Sequence, residues 1–383
     1  MRTIALSGTT GFLGSHLLSR LLRRDLRVIA LVRDAPPRAA DRVARALAFA
    51  SDGRRNDAVD TEQLRLVRAD LDAERLGLPA AAFARLADEV DEVWHCAAST
   101  HLEADLATVC AINVEGTRRM LELAAAGRRR PRFVHISTAY VAGGRSDCTV
   151  AESDLDGSYG FMTPYEESKY RAELLVRAWA GEDGRRALVL RPSTLVTDKP
   201  LVPSGPRHPH SVLGLRLGRL AARGPDFLVR HFGMRPDRDG VFRVRLPGRP
   251  DSTTNIAPVE YAADAVMRLV RDESAPGTTT RHVTHPVDTP ARVWLEALRS
   301  MVPWLEPVVV ADHGDATAFE SFAVALQPGG HRYGYLRRSY ERTALDTAET
   351  RDGVPAPLPL DVPYLARTLD GPRSRSVPAA TSA

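Results

Sequence analysis

Arg2-Thr3-Ile4-Ala5-Leu6-Ser7-Gly8-Thr9-Thr10-Gly11-Phe12-Leu13-Gly14 is the stretch on which the fold turns. Its first six residues are mostly apolar or β-branched and read as a short strand. Glycines then recur at intervals of three, and an amphipathic helical pattern follows over 12–24. Glycine in such a turn lets backbone N–H groups approach an anion without interference from a Cβ, and the N-terminus of the next helix favours negative charge. The spacing is G-x-x-G-x-x-G rather than the G-x-G-x-x-G dinucleotide fingerprint. Its place between a first strand and a first helix marks Gly8, Thr10, Gly11, Phe12, Leu13 and Gly14 as a phosphate-binding turn.

The alternation continues to about residue 195. Strand signals fall at 2–7, 27–32, 64–68, 90–95, 132–137 and 187–191, and helical ones at 12–24, 41–50, 80–89, 113–126 and 165–180. Strands alternating with helices predict an α/β fold with a doubly wound parallel sheet of the Rossmann type. Beyond 195, Pro and Gly crowd 198–210 and 233–251, where long loops are expected. Helices are expected at 211–223, at 259–271 after a lead-in at 253–258, and at 290–301. The expected organisation is a Rossmann domain over 1–195 and a smaller C-terminal, substrate-side lobe over 196–368, interleaved with the last part of the sheet. A tail over 369–383 lacks periodicity and is expected to be disordered.

Composition narrows the function. A hydrophobic share of 44% and a charged share of 26% are ordinary for a soluble globular protein. The net charge of +4 is small for 383 residues, and there is neither zinc-finger spacing nor a basic stripe interleaved with aromatics, so no nucleic-acid partner is expected. No run of 18 apolar residues suggests a membrane span. The first residues run straight into the expected strand and glycine turn, so no signal peptide is expected there. Cys96, Cys110 and Cys148 lack metal-ligand spacing. A cytoplasmic protein without a metal site is expected, its thiols buried or idle.

The second strand ends in Arg33. An acid there would suit the ribose 2′-hydroxyl of NAD, whereas arginine suits the 2′-phosphate of NADP. Arg42, on the next helix, offers a second charge, while Asp34 beside Arg33 weighs the other way. On this reading 1–195 is an NADP-binding domain, with NADPH/NADP as cofactor.

Tyr165-Glu166-Glu167-Ser168-Lys169 sets a tyrosine and a lysine four residues apart, on one face of a predicted helix. An ammonium near a phenol stabilises the phenolate and brings its pKa toward the working range. The strand Phe133-Val134-His135-Ile136 ends in Ser137-Thr138, and a hydroxyl at the carboxyl end of such a strand faces the ligand crevice. Thr138 is the expected partner of Tyr165 at a reacting carbonyl oxygen, with Ser137 the competing choice.

So placed, these motifs resemble the extended short-chain dehydrogenase/reductase family over roughly residues 3–290. The resemblance implies that Asp70-Leu71 meets the adenine ring. It also implies that Ala97 and Ala98, in His95-Cys96-Ala97-Ala98, border the cofactor after the fourth strand. Asn113-Val114-Glu115-Gly116-Thr117 looks like the family's N-V-x-G-T helix, where Asn113 either links through water or backbone to Lys169 or serves as a plain structural post. Thr138, Tyr165 and Lys169 fall where the family keeps its catalytic residues, Lys169 holding the nicotinamide ribose.

Within that family, several pieces resemble the male-sterility-type branch of fatty acyl-CoA reductases and thioester reductases. They are Gly11–Gly14, Leu31–Arg33, Ser137–Val141, Leu190-Arg191-Pro192-Ser193 and Pro258–Ala265. That resemblance implies NADPH-dependent reduction of a CoA- or carrier-bound acyl thioester to an aldehyde or alcohol, with any acyl or peptidyl carrier protein supplied in trans. Two other expectations stand beside it. One is an NADP-dependent ketone reductase or a nucleotide-sugar epimerase or dehydratase; Arg33 weighs against an epimerase, which would tend to retain NAD. The other is a redox-silent NADP-binding sensor or scaffold, which would usually lack the Tyr or the Lys. From Lys199 to Arg249 there are eleven Lys and Arg against three Asp and Glu, and Arg216, Arg219 and Arg223 fall on one face of an expected helix. That face is read either as a solvated surface or as a docking patch for an acidic carrier.

Overall fold

The computed structural model describes residues 1–51, 61–200, 205–272, 275–327 and 329–369. Seven strands make one parallel sheet: β1 (Arg2–Ser7), β2 (Leu26–Val32), β3 (Leu64–Arg68), β4 (Glu92–His95), β5 (Arg132–Ile136), β6 (Arg186–Pro192) and β7 (Gly277–Val283). Their spatial order is β3-β2-β1-β4-β5-β6-β7. The order reverses between β1 and β4, which opens a crevice at the carboxyl ends of the strands, where such sheets bind ligands.

Alternation along each strand supplies two cores. Ile4, Leu6, Val28, Ala30, Val134 and Leu188 face one side, against α1 (Phe12–Leu21), α2 (Arg38–Ala50) and α8 (Val259–Leu269). Ala5, Ile29, Val93, Phe133 and Val189 face the other, under α3 (Ala80–Glu89), α4 (Leu106–Ala126) and α5 (Pro164–Ala180). The register Ile4↔Val28↔Leu64 keeps side chains of like character on one face. Burying each large aliphatic side chain contributes roughly 1.5–3 kcal/mol.

The six expected strands of the sheet are present within a residue or two. β7 was not anticipated, because Thr278, Thr279 and Thr280 make it polar. As an edge strand it pairs on one side only, with β6, and needs no continuous apolar run. α4 begins at Leu106, not at 113, because Asp105 caps it by accepting from the Thr108 N–H at 2.9 Å.

The lobe is built from α6 (Pro209–Arg223), α7 (Asp226–Phe232), α9 (Ala291–Met301), α10 (Ala318–Ala325) and α12 (Val362–Leu369) around a third core that includes Leu213, Leu217, Phe242, Val244 and Phe319. α11 (Thr343–Arg351) lies against α8. The expectation of long loops over 233–251 is corrected, since Phe242–Pro247 is a strand paired in parallel with Leu305–Val310. Its alternation of Phe242, Val244 and Leu246 with Arg243 and Arg245 was present in the sequence, hidden between prolines and glycines. Leu369, placed in the expected tail, is the buried last residue of α12. The remainder of that tail, 370–383, lies outside the described residues. No helix among the described residues is long and apolar enough to cross a membrane.

Candidate active site

The chain turns as soon as β1 ends. Gly8 has φ +76°, and a Cβ there would lie 2.6 Å from the Ala97 backbone nitrogen. A Cβ on Gly14 would come within 2.0 Å of the Gly8 carbonyl oxygen, so the first turn of α1 rests directly on the loop. Gly11 donates to the Gly8 carbonyl at 2.9 Å and caps α1 with no side-chain hydrogen bond. Ser7 Oγ accepts from the Cys96 and Ala97 N–H groups at 3.3 Å each, which pins the loop after β4 beside the turn. The result is a cradle of uncapped backbone N–H groups too close-walled for side chains. Thr9 Oγ1 is buried beside it without a partner among the described residues. A pyrophosphate fits this chemistry.

Arg33 is exposed at the carboxyl end of β2. Arg42 donates to Asp34 at 2.5 Å and to Thr10 Oγ1 at 3.2 Å, which ties α2 to the glycine turn and engages the one acid next to Arg33. Asp70 is exposed in the turn after β3, where its Oδ1 accepts from the Asp72 N–H at 3.1 Å, and Leu71 packs half-buried against the core under α4.

α5 starts with Thr163 as N-cap and Pro164 in its first turn, and so presents Tyr165 and Lys169 one turn apart. Thr138 follows β5; its Oγ1 donates to the Pro192 carbonyl at 3.4 Å and accepts from the Tyr140 N–H at 3.3 Å. Burial pushes the Tyr165 phenol up to about 12, against the lowering influence of the nearby Thr138 hydroxyl. Glu166 and Cys96 raise the phenol further. Burial instead pushes Lys169 down to about 8, partly opposed by Cys96 and Glu173. Its Nζ donates to the Ile136 carbonyl at 2.7 Å and lies 3.4 Å from His135 Nε2. Burial, with Lys169 nearby, holds the His135 ring far below its ordinary value, so it meets the ammonium as a neutral group.

Ser137 is otherwise engaged. It donates to Glu173 Oε2 at 2.9 Å, and Glu173 holds Arg191 through contacts of 2.5 and 3.1 Å, both side chains fully buried. That leaves Thr138 as the hydroxyl beside Tyr165. Asn113 donates to Ser168 Oγ at 2.8 Å and to the Ser99 carbonyl at 3.0 Å, and accepts from the Ser99 N–H at 2.7 Å. Ser168 in turn donates to the Tyr165 carbonyl at 2.7 Å, so Asn113 clamps the loop after β4 to α5. Sequence reasoning missed His135, Glu173 and Arg191. The last lay in a motif already singled out, but nothing in one sequence showed that it pairs with a glutamate on α5.

A cavity of 610 Å³ joins the pieces. Thr10, Gly11, Phe12, Leu13, Gly14, Ala98, Thr138, Tyr165 and Lys169 line it; Gly8, Arg33, Arg42, Asp70, Leu71, Ala97 and Asn113 do not. It continues into the lobe past His208, which packs on the Phe12 ring at 5.1 Å, and His210, which stacks on Trp294 at 4.3 Å. The basic face of α6 is not a uniform patch. Arg216 donates to the Leu326 carbonyl at 2.6 Å and Arg223 sits over the Phe227 ring at 4.6 Å, while Arg219 is exposed.

A family of NAD-binding domains described as male sterility protein matches residues 6–266. The chain is 30% identical over 306 residues to the L-2-aminoadipate reductase large subunit of Penicillium chrysogenum, covering 74% of this chain and 19% of that one. It is also 30% identical over 319 residues to glycine betaine reductase ATRR of Emericella nidulans, covering 80% of this chain and 23% of that one. The chain thus spans about a fifth of the length of these curated relatives. Among solved structures, the terminal R domain from the myxalamid PKS-NRPS biosynthetic pathway superposes with a TM-score of 0.71 at 26% identity, covering 96% of this chain and 90% of that one.

Proposed function

The chain belongs to the male sterility protein family and is an oxidoreductase of the extended short-chain dehydrogenase type; on that premise we propose that it reduces an acyl thioester, presented on CoA or on an acyl or peptidyl carrier protein, with NADPH. The observation that carries this reading is the convergence of Thr138 and Tyr165 hydroxyls in one cavity running from the glycine turn into an apolar lobe. The relatives named for reductases, and the likeness to a terminal R domain, support a thioester as substrate.

Gly8, Gly11 and Gly14 would hold the cofactor's pyrophosphate, Asp70-Leu71 and Ala97-Ala98 would border it, and Arg33 would meet the 2′-phosphate. That Asp34 is neutralised by Arg42 supports NADP over NAD, because the competing carboxylate is engaged. The bound cofactor supplies a hydride. Tyr165, a phenol at neutral pH, donates a hydrogen bond and then a proton to the developing oxyanion, and Thr138 offers a second donor. Lys169 fixes the cofactor ribose. A new C–H bond forms at the carbonyl carbon; as the C–S bond of the hemithioacetal breaks, its hydroxyl proton leaves with the thiol, Tyr165 regains a proton from solvent, and an aldehyde remains, open to a second reduction to the alcohol. A reducing, cytoplasmic setting suits three cysteines of which none is paired.

The test is NADPH consumption by the purified chain against acyl-CoA, acyl-pantetheine and carrier-bound thioesters, beside ketones and nucleotide sugars. Turnover with thioesters, lost by roughly 10²–10⁴-fold in Tyr165→Phe, is expected. Turnover confined to ketones or nucleotide sugars would overturn the reading.

A further inference from the structure

The cavity changes chemistry along its length. At one end stand Thr138, Tyr165 and Lys169; beyond His208 and His210 it is walled by Leu217 of α6, Val244 of the paired strand, Trp294 and Leu298 of α9, and Phe319 of α10. No Asp or Glu lines it anywhere among the described residues. Its Lys and Arg are Lys169, beside Tyr165, and the exposed Arg207. Burial pushes His208 down to about 4 and His210 to about 3, so neither carries charge at neutral pH. One face of the Trp294 indole is covered by the stacked His210 ring.

We propose that the lobe end of this cavity is an acyl subsite for an uncharged, apolar acyl chain and that it rejects acyl groups carrying an ammonium or a carboxylate. The proposal rests on the thioester-reductase reading and goes beyond it, because two reductase relatives are named for charged compounds, aminoadipate and glycine betaine. A methylene moved from water into this wall gains affinity. An ammonium moved there finds no carboxylate, and a carboxylate carried past Arg207 and His208 meets only the apolar wall of Leu217, Val244, Trp294, Leu298 and Phe319, while burial also lowers the third lining histidine, His331, so each charge would be stranded without a partner. The volume of 610 Å³ lies within the ordinary range for small-molecule sites.

Three thioesters of similar length separate the outcomes: octanoyl-, 7-aminoheptanoyl- and suberoyl-pantetheine, measured with the purified chain for binding by tryptophan fluorescence and for turnover with NADPH. The octanoyl compound should exceed both charged ones by about 10²-fold or more in Kd and in kcat/KM. Ala323→Phe, which fills the cavity from α10, should lower kcat/KM for octanoyl-pantetheine at least about 10-fold and spare acetyl-pantetheine. Leu298→Asp should narrow the gap between the octanoyl and 7-aminoheptanoyl compounds. Equal binding of all three chains overturns the subsite, as does an Ala323→Phe effect that falls alike on acetyl and octanoyl. Selective octanoyl binding without reduction keeps the subsite and overturns the reductase reading instead.

Discussion

A buried ammonium without a carboxylate against it is costly, and Lys169 is such a group. Its Nζ meets the Ile136 carbonyl and the neutral His135 ring of β5, with His95 of β4 beyond. Cys96 and Tyr165 are the other titratable neighbours, and burial holds both protonated at neutral pH. Glu173, one turn along α5, is committed to Arg191 and Ser137. Lys169 therefore sits at about 8. The ammonium is the form that can hold a ribose, and it is lost as pH rises through that value, whereas Tyr165 stays a phenol. NADPH affinity should accordingly fall between about pH 7 and 9. In Lys169→Arg, whose guanidinium stays charged, that fall should vanish whatever the starting affinity. Fluorescence titration across this range checks it, and an affinity that is flat with pH in the parent chain would contradict it. The pair Tyr165 and Lys169 could be read from helical spacing, and Thr138 from its place at a strand end. The direction of the tyrosine shift could not, because it depends on depth of burial rather than on sequence neighbours.

Between elements, Glu173 on α5 pairs with Arg191 on β6 at 2.5 Å, both side chains fully buried. It anchors the helix that carries Tyr165 and Lys169 to the sheet, and its Oε2 also accepts from the Ser137 hydroxyl at 2.9 Å, so that Ser137 lines the cavity with its proton already committed. Removing one member of a buried pair leaves the other charge uncompensated. Glu173→Ala should therefore cost roughly 3–5 kcal/mol in denaturant unfolding. A change below about 0.5 kcal/mol, the size of an ordinary surface substitution, would show that α5 is held by its apolar face alone. Strands buried on both faces, such as Val28–Val32, announce themselves as continuous apolar runs. β7 and Phe242–Pro247 do not, since an edge strand and a short parallel pair need bury only part of their length. The alternation in Phe242–Pro247 was legible in principle, whereas its partner, Leu305–Val310, lies some sixty residues away.

At the scale of the molecule, the sheet supplies the turn, the helix α5 and the hydroxyls, and the lobe closes a cavity over them. The nucleotide half was legible because its motifs are local and ordered along the chain. The lobe was not, because its core is assembled from α6, α9, α10 and α12, segments whose relation is set by packing rather than by spacing. The basic face expected on α6 shows the same limit, for Arg216 reaches across to Leu326, a contact invisible along the helix itself. The most direct test of the chemistry assigned to this cavity is a single turnover of octanoyl-pantetheine with NADPH dideuterated at the nicotinamide C4. One deuterium should appear on C1 of octanal for each thiol released, and Tyr165→Phe should slow the transfer without altering where the label goes. Thiol released with an unlabelled carbon product, or label found only in ketone or nucleotide-sugar products, would contradict hydride transfer to a thioester at this site.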